Sequence, residues 1–175
     1  MPYTELLNNT ITNENESLGE LSKKQPILLV FLRHFGCVFC REAMQDIGKK
    51  RDEWEKTNVK VVLVHMSDHD TANSYFEKYN LKGVSNISNP DTSLYAKFGL
   101  LKGKPSQLMG LKNFFRGFEV TLGKGIPLAL KFIGDGFQMP GVFFIRNGKV
   151  VNSFIHKNAA DVPDYDGIIS CCGDV

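Results

Sequence analysis

A chain of 175 residues, 42% hydrophobic and 23% charged, has the size and composition of one compact domain able to bury its own core. Its formal net charge of +2 is too near balance to point to nucleic acid, and its longest apolar stretch, Ile27 to Leu32, is far too short to span a bilayer. Met1–Asn15 carries Glu5 and Glu14 and lacks the basic and apolar regions of a signal peptide, so the expected compartment is the cytosol, where four cysteines are catalytic, metal-binding or inert rather than a structural disulfide framework.

Residues 1–24 are polar and Asn/Glu-rich and read as a short helix within a loose lead-in, ahead of a domain over 25–175. The run from Pro26 to Arg33 reads as a buried strand, and a helix is expected from about Cys37 to Lys56, with Ala43, Met44, Ile47 and Trp54 facing inward. Val59–His65 is a second buried strand, followed by a helix over Asp70–Tyr79, a weak strand near Ser85–Ser88 and a short helix through Leu94, Tyr95 and Phe98. A glycine- and lysine-rich insertion spans about 100–136. Within it Leu108, Leu111, Phe115, Phe118 and Leu122 recur at 3, 4, 3, 4 spacing, one face of a helix expected to pack over the domain; the competing reading docks that face on a membrane surface or a partner. Met139–Ile145 and Lys149–Ile155 flank Asn147-Gly148 as a hairpin, and a last helix is expected over Pro163–Ser170.

Strands separated by helices imply parallel pairing through right-handed crossovers, and the closing hairpin makes the sheet mixed. The expected class is α/β, a thioredoxin-like fold with a central mixed β-sheet flanked by helices and a helical insertion before the last hairpin.

The chemistry concentrates where the first strand meets its helix. Cys37 and Cys40 form a CxxC at a helix N-terminus, where unpaired amides and the positive end of the dipole stabilise a thiolate. Two cysteines three apart can close a small disulfide ring, so one thiol attacks and the other resolves within a single site. Arg33, His34 and Arg41 are expected to favour the thiolate by adding positive charge. The competing use, half of a zinc site, lacks a second suitable pair: Cys171 and Cys172 are adjacent, and His65, His69 and His156 show no ligand spacing. Taken singly, those three histidines read as surface or core residues rather than proton donors, and Cys171-Cys172 as incidental thiols near the C-terminus.

The segment Phe31–Glu42, with Asp91–Gly99, Gln138–Gly148 and His156–Asp161, resembles the peroxiredoxin-like proteins of the alkyl hydroperoxide reductase/thiol-specific antioxidant superfamily, in particular the prostamide/prostaglandin F synthase-like branch. The chain departs from true peroxiredoxins, whose PxxxTxxC carries the peroxide-attacking cysteine. With Cys40 in that place, the proline position holds Arg33, the threonine position holds Cys37, and the late arginine falls at Pro140. The resemblance implies an antioxidant-type thiol oxidoreductase reducing peroxides or disulfides. Electrons are expected from a thioredoxin-type or small-thiol donor, with no bound cofactor and no metal. Thioredoxin logic makes Cys37 the attacker and peroxiredoxin alignment makes it Cys40; Cys37 is preferred. Pro140, after Met139, matches the cis-proline that faces the cysteines in thioredoxin-like folds and is expected to be cis and substrate-binding. The alternatives are a non-catalytic thioredoxin-fold binding module and a zinc-stabilised domain.

Overall fold

The computed structural model of the protein describes residues 3–109, 111–126 and 134–170. One mixed sheet contains β1 (Ile27–Phe31), β2 (Lys60–His65), β3 (Ser85–Ser88), β4 (Gly141–Arg146) and β5 (Lys149–Ile155), in the spatial order β3-β2-β1-β4-β5. β1 pairs in parallel with β2 and β2 with β3, while β4 is antiparallel to β1 and β5 to β4. The crossovers run through α3 (Val38–Lys56) and α4 (His69–Lys78). The mixed sheet with flanking helices is the one the element order implies.

Alternation along the central strands builds a core on each face. Leu28 and Val30, with Val61, Leu63, Val142 and Phe144, meet Met44, Ile47 and Trp54 of α3 and Phe76 of α4. Ile27, Leu29 and Phe31, with Val62, Val64 and Phe143, meet Leu7 of α1 (Tyr3–Asn9), Leu18 and Leu21 of α2 (Leu18–Lys24) and Tyr95 of α5 (Ser93–Lys97). A strand covered on both sides must be apolar throughout, which is why the β1 run lacks polar alternation. Residues before β1 are therefore not a loose lead-in: three buried leucines close one face of the sheet, and each contributes about 1.5–3 kcal/mol. The hairpin turn has φ of 51° at Asn147 and 70° at Gly148, the left-handed pair that a two-residue turn demands.

The insertion forms α6 (Pro105–Met109) and α7 (Leu111–Lys124), and here the expectation fails. Phe115, Phe118 and Leu122 are 64%, 59% and 71% exposed, not packed on the domain. The face of α7 turned to α3 carries Arg116, Gly117, Val120 and Lys124. Val120 and Ile126 pack with Val38 and Phe39, and a Cβ at Gly117 would stand 3.7 Å from Val38. The cause is Glu42, buried on α3. Its carboxylate takes Arg116 Nη2 at 2.7 Å and Lys124 Nζ at 2.9 Å, and Lys124 also reaches Asp46 at 2.9 Å. An unpaired buried carboxylate costs more than three exposed apolar side chains, so pairing sets the rotation of the helix. The side chains of Leu111 and Lys112, Lys131, and the Cys171-Cys172 pair lie outside the described residues. Among the described residues no helix is long and apolar enough to cross a membrane.

Candidate active site

The end of β1 is fixed before the cysteines begin. Leu32 N donates to Val64 O at 2.9 Å, extending the ladder by one residue, and the buried Tyr95 hydroxyl donates to Leu32 O at 2.6 Å. A turn closed by Cys37 N on His34 O at 3.0 Å then delivers Cys37 to the N-cap of α3, in extended conformation. Cys40 follows in the first helical turn. This is the strand–turn–helix setting that the sequence implies.

Both cysteines are free thiols, and both are buried. Arg33 serves each of them: its Nη1 lies 3.1 Å from Cys37 Sγ, and its backbone N–H donates to Cys40 Sγ at 3.1 Å. The two sulfurs are also hydrogen-bonded to each other, and that bond polarises the pair. The Cys40 thiol and the Arg33 guanidinium, helped by the amides of Cys40 and Phe39, hold Cys37 well below the ordinary thiol range against the opposing effect of burial. Burial and the neighbouring Cys37 push Cys40 well above it. The reduced site therefore carries its negative charge on Cys37 and a proton on Cys40.

Other expected site residues divide. His34 is buried beside Arg33, and desolvation together with the Arg33 charge lowers it to about 4, so it is neutral near pH 7 and adds no positive charge. Arg41 turns away along α3: its Nε donates to Phe35 O at 3.0 Å and its guanidinium stands 5.9 Å from the Tyr75 ring centroid. The cation acting on Cys37 is Arg33. Pro140 does share a wall with Cys40 and Arg33, but there is no cis peptide bond among the described residues, so the cis expectation is overturned. The segment before it is held extended from both sides. Met139 N donates to Leu101 O at 3.3 Å, Gly103 N to Phe137 O at 2.7 Å, Arg33 Nε to Gln138 O at 3.1 Å and Arg33 Nη2 to Gly136 O at 2.5 Å. With its carbonyls so engaged the chain enters β4 straight, and a trans proline suits that place because it needs no donor.

Beside Cys40, and not Cys37, a cleft opens between α3, the start of β4 and the segment leading into α8 (Tyr165–Ser170). Phe39, Pro140, Ala159, Pro163 and Tyr165 form much of its wall, and His156 is its imidazole. Burial lowers His156 to about 4, and among the described residues its buried Nδ1 has no hydrogen-bond partner. Residue-by-residue reasoning missed Glu42, whose only signal is its place two residues after the CxxC, and Gln138, whose buried amide donates to Leu100 O at 2.8 Å. His65 is occupied structurally, its Nε2 3.1 Å from Asn86 Oδ1 and its Nδ1 3.3 Å from Ser67 Oγ. Among the described residues no three His, Cys, Asp or Glu side chains converge as a metal site would require.

Comparison with known proteins agrees with this geometry. The chain is 27% identical over 168 residues to the Arabidopsis thaliana thioredoxin-like protein AAED1, chloroplastic, covering 89% of this chain but only 65% of that protein. It is 35% identical over 172 residues to the Xenopus laevis prostamide/prostaglandin F synthase, covering 96% of this chain and 84% of the relative. Among solved structures, reduced 2-Cys peroxiredoxin of Plasmodium vivax superposes with a TM-score of 0.59 at 15% identity, over 90% of this chain and 71% of that one, a likeness of fold. A family model described as AhpC/TSA matches residues 2–153. By sequence, sheet topology and a thiol pair at the start of α3, the chain belongs to the AhpC/TSA family.

Proposed function

We propose that the protein reduces a small peroxide by cycling Cys37 and Cys40 between dithiol and disulfide. Membership of its family makes it a thiol oxidoreductase in general terms; the pair, the order of attack and the substrate are our reading. The observation that carries it is the asymmetry of the two sulfurs, with Arg33 Nη1 3.1 Å from Cys37 Sγ and the proton on Cys40. The Cys37 thiolate attacks one peroxide oxygen, the O–O bond breaks, and the departing oxygen leaves as an alcohol or water after taking a proton. Cys37 is then a sulfenic acid. The Cys40 thiol attacks that sulfur, water leaves, and the disulfide closes. Two external thiols, from a small molecule or a thioredoxin-type protein, restore the dithiol.

A small substrate is favoured over a protein disulfide because Arg33 already occupies the Gly136 and Gln138 carbonyls, the backbone edge on which an extended peptide would pair. Attack by Cys40 has one observation in its favour, the cleft on its side of the site. The test is alkylation mass spectrometry after one equivalent of hydrogen peroxide. The expected result is loss of both alkylatable thiols at Cys37 and Cys40 together, with a mass lower by two hydrogens. Persistence of both free thiols would refute the cycle.

A further inference from the structure

We infer that the cleft beside Cys40 is the port for a small thiol reductant with an apolar body, which attacks the Cys40 sulfur of the oxidised pair and expels Cys37. The inference rests on the dithiol–disulfide cycle proposed above and adds which sulfur is attacked, from where, and by what class of molecule.

Three observations converge on it. Cys40 lines the cleft and Cys37 does not. In the reduced site Cys40 is the protonated member of the pair, so nothing nucleophilic faces the cleft. Its sulfur becomes reactive only as half of a disulfide, and then as an electrophile, so the molecule that the cleft serves is a nucleophile. The leaving group points the same way. Exchange is faster when the departing thiol is the more acidic, and attack at Cys40 releases Cys37, whose thiolate Arg33 Nη1 receives at 3.1 Å. Attack at Cys37 would instead release the buried Cys40, the poorer leaving group.

The lining specifies the visitor. Phe39, Pro140, Val142, Ala159 and Pro163 are apolar, and about 500 Å³ of space, including the open mouth, suits a small molecule rather than a loop of a folded protein. The buried, unpartnered Nδ1 of His156 is an acceptor placed to take the hydrogen bond of an S–H. Atoms and electrons balance with two thiols. The first loses its proton to water, forms a mixed disulfide with Cys40 and releases Cys37 as thiolate. The second attacks the sulfur of the first, a free disulfide departs, and Cys40 leaves with the proton of the second thiol.

The experiment uses the full chain without substitution. The disulfide is formed with one equivalent of hydrogen peroxide, or with diamide where peroxide does not form it, which separates failure of the peroxidase reading from failure of this one. Benzyl mercaptan is added at one equivalent, the mixture is quenched in acid and free thiols are blocked with N-ethylmaleimide. Fragment ions of the peptide His34–Arg41 then assign the adduct. The expected product carries benzyl mercaptan on Cys40 and N-ethylmaleimide on Cys37 in at least about tenfold excess over the converse, the factor that 1.4 kcal/mol of preference gives. An adduct on Cys37, or an even split, would overturn the inference, as would reduction by a thioredoxin or by a bulky trityl thiol as fast as by benzyl mercaptan. If neither oxidant forms the disulfide, both this inference and the cycle fall.

Discussion

Arg33 holds three parts of the site with one side chain and one amide. Its guanidinium joins Cys37 to the segment before β4, and its N–H anchors Cys40. A buried guanidinium whose donors end on two carbonyls and a sulfur has few other places to go, so the charge beside Cys37 is fixed rather than averaged over rotamers. Removing it while keeping apolar bulk isolates the electrostatic part. For Arg33→Met we expect the Cys37 titration, read from the pH dependence of iodoacetamide alkylation, to move upward by about one to two units. The sign follows from the charge: a cation stabilises the thiolate and lowers the midpoint, so its loss raises the midpoint and slows alkylation at pH 7. An unchanged profile would show that Arg33 does not set the acidity of Cys37.

At the scale of elements, α7 and the lead-in show where sequence patterning misleads. The spacing of Phe115, Phe118 and Leu122 is genuinely helical, and the helix forms; what periodicity cannot weigh is a buried carboxylate on a different helix. Arg116, Val120 and Lys124 recur every four residues, and that weaker pattern marks the buried face because Glu42 has to be neutralised. Val120→Ala should therefore lower stability by about 2 kcal/mol in urea unfolding, whereas Phe118→Ala should stay within about 0.5 kcal/mol of the parent. The reverse order would mean that the other face of α7 is the packed one. The strands were legible for the opposite reason. β1 and β2 are apolar without interruption, a pattern that only burial on both faces explains, and Asn147-Gly148 carries its turn geometry in its own conformational preference. The trans geometry at Pro140 was not legible, since it depends on carbonyls that Arg33 engages from more than one hundred residues away in the chain. Likewise the CxxC could be found by spacing alone, while the neutrality of His34 required knowing that it is buried.

For the whole molecule, the fold places one strand end, one helix start and one straight strand entrance around a pair of sulfurs, and α3 carries both the cysteines and the carboxylate that seats α7 over them. The account stands on the division of labour between those sulfurs: Cys37 attacks and Cys40 resolves. The most direct measurement treats Cys37→Ser and Cys40→Ser proteins separately with one equivalent of hydrogen peroxide in the presence of dimedone, and reads the sulfenic acid adduct by mass spectrometry. The prediction is a dimedone adduct on Cys37 in the Cys40→Ser protein and almost none in the Cys37→Ser protein; an adduct on Cys40 in the Cys37→Ser protein, with Cys37 left unmodified in its counterpart, would contradict it.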